Sequence, residues 1–134
     1  MKYSISYFIE KALRVDIVDS RDMEVLESKL RGIHLELPEV NLENTMEVIT
    51  SMVVSLYRKI YRERLVLSAI ERASLCTGSI MEPSPDFKEI LVLDEDFDSI
   101  MFYFENHYKV LGENMVGLCS GNGTETIMVK IRKR

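Results

Sequence analysis

Three aspartates alternate along the run Asp94, Asp96 and Asp98, and Glu105 follows at the spacing that would complete a calcium loop. Oxygen ligands at positions 1, 3, 5 and 12 are how an EF-hand surrounds its ion. Position 6 of such a loop needs glycine for a sharp turn. Ser99 stands there, and Ile100 to Phe104 reads as the interior of a helix. The acidic run is therefore a weak metal candidate, better explained as negative charge gathered at a helix N-terminus, where the backbone dipole favours it. Carboxylates placed just after an inner strand also serve enzymes as metal ligands, which makes a metal-dependent hydrolase at Asp94, Asp96 and Asp98 one reading of the chain.

Other catalytic templates find little to hold. His34 and His107 each lack a neighbour at ligand spacing. The chain has no GxSxG, P-loop, GxGxxG or HExxH pattern. Pro85-Asp86 resembles the opening of a nuclease motif, but its acidic-x-Lys companion is missing, because Met128 holds the acidic place before Lys130. The sequence thus leans away from an enzyme and implies no cofactor.

Positive charge offers a second kind of chemistry. Tyr57, Arg58, Lys59, Tyr61 and Arg62 lie together, and the chain closes on Lys130, Arg132, Lys133 and Arg134. Arginine beside aromatic residues is a composition of protein-binding hot spots and of nucleic-acid surfaces alike. Its plainer meaning is a solvated stripe on a helix otherwise buried. For the terminal cations the plainer meaning is a frayed strand end.

Composition narrows these choices. The chain has 134 residues, 46% of them hydrophobic and 29% charged, which suits one folded domain with a core of its own. A net charge of −5 argues against nucleic-acid binding as a property of the whole surface. The charge is unevenly placed, however. Residues 58–72 carry five basic and two acidic side chains, whereas residues 73–128 carry two basic and ten acidic. No apolar run nears the roughly 18 residues a membrane span requires, and no signal-peptide pattern opens the chain, so a cytoplasmic location is expected. Cys76 and Cys119 stand far apart and read as ordinary thiols. A lack of glutamine with abundant Ile, Val, Glu, Arg and Lys leans towards a thermophilic source, against which eight Met and five Asn weigh.

The elements that must position these residues are organised around one stretch, about 44–76. It contains neither Gly nor Pro and carries two adjoining apolar stripes. Ile49, Met52, Val53, Leu56, Ile60, Leu67 and Ile70 form one; Met46, Val53, Tyr57, Tyr61, Leu65, Ala69 and Ala73 form the other. A helix so apolar needs cover on two sides, and a bend is expected, if anywhere, near Tyr61 to Arg64. Before it, residues 3–14 fit a helix better than a strand, 19–32 reads as a capped helix, and 33–37 as a short strand ended by Pro38. A weak echo of strand, acidic turn, helix, Gly and strand links residues 14–37 with 89–118. After the helix, residues 79–87 have a linker composition with Pro83 and Pro85. Residues 88–93 then read as an inner strand, and Asp96 or Asp98 to Gly112 as a helix. Two alternating runs around Gly121, Asn122 and Gly123 read as a hairpin.

The fold expected is α+β: a single domain, 1–134, with a mainly helical region 1–78, a linker 79–87 and a β-α-β-β unit over 88–134. The function expected first is a non-enzymatic protein-binding regulator or a small subunit of a larger assembly. It would act through the exposed part of the long helix, with Tyr57, Arg58, Tyr61 and Arg62 at the contact and a protein partner or a second copy as the occupant. A nucleic-acid-associated factor using Arg58, Arg62, Lys59, Lys130, Arg132, Lys133 and Arg134 is the alternative, ahead of the hydrolase.

Overall fold

A computed structural model of the chain describes Glu24, Val25, Ser28, residues 42–119 and residues 125–134. The chain divides into two compact units, Met1–Tyr61 and Arg62–Arg134. The long helix, α1, runs Leu42–Thr77 as one unbroken element through the division. The readings of 3–14 and 33–37, the turn at 121–123 and the echo in 14–37 lie outside the described residues. Of the helix expected over 19–32, Glu24, Val25 and Ser28 are described, all helical and exposed.

Among the described side chains of the first unit, the buried ones lie in its last turn of helix. Tyr57, Ile60 and Tyr61 are buried, and the rings of Tyr57 and Tyr61, one turn apart, lie 6.0 Å apart with a 32° tilt.

The second unit is a five-stranded sheet backed by helix. α1 brings Leu65, Val66, Ala69 and Ala73 to its buried side. It stops where Gly78 takes φ +72° and donates its N–H to the Ser74 carbonyl at 2.9 Å, a left-handed end that glycine adopts without strain. The strands are β1 (Met81–Pro83), β2 (Glu89–Val92), β3 (Lys109–Gly112), β4 (Met115–Leu118) and β5 (Ile127–Lys133). A second helix, α2 (Phe97–His107), follows a single 3-10 turn at Asp94–Asp96. The spatial order is β1-β2-β5-β4-β3. Only β2 and β5 are parallel; the other neighbours are antiparallel.

Strand alternation sorts the side chains into two faces. Met81, Ile90, Val92, Val116, Leu118, Ile127, Val129 and Ile131 share one face by register, and all are buried. The buried residues of α2, Ile100, Met101, Tyr103 and Phe104, complete this core. The opposite face carries Glu82, Glu89, Lys130, Arg132 and Met128. β5 shows why its position was readable: its residues are buried and exposed in strict alternation from Ile127 to Arg132.

The molecule is mixed helix and sheet, but its layout departs from the expected β-α-β-β unit in two places. The segment read as a linker holds β1, whose Met81, Glu82 and Pro83 face Val92, Leu91 and Ile90. Proline is tolerated there because β1 is an edge strand, with one side free of ladder bonds. The helix expected to reach Gly112 ends at His107, and Lys109–Gly112 is β3. Pairing of Lys109 and Val110 with Gly117 and Val116 draws those residues into the sheet. No described helix is long and apolar enough to cross a membrane.

Candidate functional site

The residues singled out by sequence are placed very differently from one another. Tyr57 and Tyr61 are buried, while Arg58 and Lys59 are exposed. Arg62 is half-buried and its Nη1 donates to two carbonyls, Met128 at 3.0 Å and Phe87 at 3.3 Å. The reason lies in the sheet. Peptide groups of Met128, Lys130, Arg132 and Arg134 alternate towards β2, and the Lys130 N–H meets the Lys88 carbonyl at 3.1 Å. β2 begins one residue later, so the Met128 carbonyl has no strand to pair with. Arg62 supplies that missing donor, where an unsatisfied carbonyl would be costly.

The terminal cations are not a frayed end. Lys130, Arg132 and Lys133 belong to β5, the middle strand of the sheet, and Arg134 directly follows it with its N–H on the Val92 carbonyl at 2.9 Å. Arg132 reaches Glu89 at 3.4 Å across the parallel pair, and Lys133 reaches Asp94 at 3.1 Å while lying 4.9 Å from the centre of the Phe97 ring. Arg134 pairs with Glu82. Lys130 is exposed on the open face. Arg62 sits against Met128 at the start of β5, roughly 20 Å of strand away from Arg134. Arg132, Lys133 and Arg134 are each matched to an acid, whereas Arg62 is held by backbone carbonyls.

The acidic run sits in the 3-10 turn and the first turn of α2. Asp94 is committed to Lys133, and no side chain among the three aspartates caps the helix by a hydrogen bond. Among the described residues no three His, Cys, Asp or Glu side chains converge as a metal site would require. His107 packs its ring 4.3 Å from that of Tyr103, in a cluster with Phe104 and Tyr108. Burial, and then the neighbouring Tyr108, push the Tyr103 hydroxyl above the ordinary tyrosine range. His34 lies outside the described residues. Cys76 and Cys119 are exposed free thiols.

Pro85-Asp86 turns out to be architectural. The Ser84 hydroxyl donates to Asp86 Oδ1 at 2.7 Å, the Lys88 N–H donates to the same oxygen at 3.1 Å, and the Glu89 N–H donates to Ser84 Oγ at 3.0 Å. These bonds hold the Asp86 carboxyl below its ordinary value, the Ser84 bond most and the Lys88 bond next. They also hold Phe87 at φ +55°, an uncommon conformation for a bulky residue, which turns its carbonyl into reach of Arg62.

Two features escaped sequence reasoning. Leu67, placed in an apolar stripe, is 50% exposed, and Leu75 further along is 81% exposed. They mark a ridge of α1 at i and i+8 with exposed Glu71 between them. On β3, Val110 is 48% and Leu111 39% exposed, although they lie on a strand. The signal for the ridge was available in principle: Leu67 and Leu75 lie off the Leu65, Ala69, Ala73 stripe. Compared with protein-family models, with curated proteins and with solved structures, the chain finds no match.

Proposed function

We propose that this chain is a non-enzymatic protein-binding module, a regulator or a small subunit of a larger assembly, that engages its partner through the outward flank of α1. The observation that carries the reading is the pair Leu67 and Leu75. Their neighbours Val66, Ala69 and Ala73 fill the core, while these two leucines remain in water beside Glu71 and Arg72. A leucine ridge with charged residues alongside is the pattern by which helices dock into apolar grooves. Of the four residues singled out for a contact, Tyr57 and Tyr61 are buried, Arg62 is half-buried, and the exposed Arg58 lies half a turn round the helix from Leu67, so none of the four belongs to this flank.

The test compares the wild-type chain with Leu67→Glu/Leu75→Glu, both immobilised and incubated with a lysate of the source cells, with quantitative mass spectrometry of what is retained. The reading expects a partner retained by the wild type in near-stoichiometric amount and lost from the variant, whose circular dichroism stays unchanged. Equal retention by both chains, or none by either, removes the helix flank as a docking surface.

A further inference from the structure

Two exposed surfaces of the second unit carry opposite charge around apolar side chains that the fold leaves in water. One is the outward stripe of α2. Ile100, Met101, Tyr103 and Phe104 fill the core, while Asp98, Phe102 and Glu105, at i, i+4 and i+7, share an arc of about 60° on the far side of the helix. Phe102 is 70% exposed, a large apolar ring that packs on nothing in its own core. Asp98 and Glu105 are exposed, and neither has an ion-pair partner among the described residues.

The other surface is the uncovered face of the sheet. By register it carries Met128 and Lys130 of β5, Met115 and Gly117 of β4 and Lys109 of β3, and the Leu111 side chain lies over Gly117. Met128 is 56% and Leu111 39% exposed, although the wet face of a sheet is ordinarily polar. Arg132 and Arg134 on this face are taken by Glu89 and Glu82. Lys109 and Lys130 are exposed with no acid matched to them among the described residues.

The two patterns agree in spacing as well as in sign. Asp98 and Glu105 stand about 10 Å apart along the helix, with Phe102 between them. Lys130 and Lys109 lie two strands apart and one two-residue step along, about 12 Å across the sheet. The floor between the lysines is Met115, Gly117 and Leu111, with Met128 beside it. A glycine keeps that floor low, and the thioethers of two methionines favour contact with an aromatic ring.

We propose that one copy of this chain docks the Asp98, Phe102 and Glu105 stripe of α2 onto the open sheet face of a second copy. Phe102 rests on Met115 and Met128, and the two carboxylates meet Lys109 and Lys130. Because α2 packs on the buried face of the sheet, its stripe and the open face look in opposite directions. The contact is therefore heterologous, and association runs head to tail beyond two copies. It uses neither Leu67 nor Leu75 and does not depend on the reading of α1.

The experiment is sedimentation velocity of the full chain over a concentration series. It compares the wild type, Phe102→Glu, which disables the helix stripe, Lys109→Glu/Lys130→Glu, which disables the face, and an equimolar mixture of the two variants. The wild type is expected to associate reversibly past the dimer, and either variant alone to weaken this roughly 10-fold or more in Kd. The mixture is expected to recover a complex that stops at one copy of each, since the pair holds one intact stripe and one intact face. All three positions are exposed, so unfolding temperatures should agree. A wild type that is monomeric throughout, or that stops at a dimer, overturns the proposal. So do variants that associate as the wild type does, a mixture that stays monomeric, or an association lost in Leu67→Glu/Leu75→Glu.

Discussion

At the β1 edge the sheet ends in three residues. Pro83 has no N–H to offer, Met81 is turned into the core, and Glu82 is tied to Arg134, which follows the central strand. Behind this edge the β1–β2 loop is closed by Ser84, Asp86 and the two carbonyl bonds of Arg62. At the β3 edge the strand is exposed along its length, its extra residue lies outside the ladder, and its apolar side chains meet water. Both edges hang from the same middle strand, β5, through one intervening strand each. The difference shows that closing an edge takes polar bookkeeping in the adjoining loop as well as a short strand with a proline in it.

Substitutions can break or sharpen this contrast. The largest effect is expected from Ile131→Ala, which removes a fully buried side chain from the strand that supports both edges. It should cost about 2–5 kcal/mol in urea unfolding and loosen both edges together by hydrogen exchange. Unequal loosening would show that the edges do not share one support. Gly117→Ala should act on one side alone. A Cβ there would stand 3.0 Å from Thr126 Cγ2 and 3.1 Å from Leu111 Cδ1, so the bulge residue must move. A loss of about 1–3 kcal/mol is expected, with amides of β3 and β4 exchanging faster while those of β1 and β2 hold.

Arg62→Ala is the counterpart on the other side. It leaves the Met128 and Phe87 carbonyls without their donor at a partly exposed site, and about 1 kcal/mol is expected, with faster exchange centred on the β1–β2 loop. Arg62→Lys should recover only part of it, because an ammonium cannot keep the planar reach of the guanidinium. The smallest effect concerns pH. Asp86 has its folded pKa lowered below the ordinary 3.8, so its contribution is fully present above the unfolded value and is lost as pH falls through the lowered one. Acid titration followed by NMR should disturb Ser84, Lys88 and Glu89 before β3, and Asp86→Asn should abolish that local transition. Simultaneous disturbance of both edges would remove the loop as the cause.

The parts of this fold that were legible in the sequence are those whose side-chain pattern answers to a local period. α1 is uninterrupted by Gly or Pro, and it extends two residues before and one beyond the stretch 44–76. β2 and β5 follow an inner run and an alternation. The elements that were not legible are the two edges. β1 hides in a proline-rich stretch because the freedom from ladder bonds that lets Pro83 stay is a fact about its neighbours, not about its own residues. β3 hides because Phe104, Tyr108 and Leu111 keep helical spacing, and only pairing with β4 decides that the chain leaves the helix at His107. The same holds for the contact candidates. An arginine beside tyrosines reads alike on a surface and in a core. That Arg62 faces two backbone carbonyls follows from where β2 begins, which lies outside any local motif.

The order of strands in the chain and in space has a further consequence for how the sheet comes together. β5 follows the other four along the chain, yet it lies between β2 and β4. Until it has been made, the earlier strands can form only two separate hairpins, β1–β2 and β3–β4, each marginal in water by itself. The parallel join of Glu89–Val92 to Lys130–Lys133 closes a loop of about forty residues and so comes late on entropic grounds. During synthesis the second unit therefore passes through a stage in which its halves wait, apolar faces uncovered, for a single strand to zip them into one.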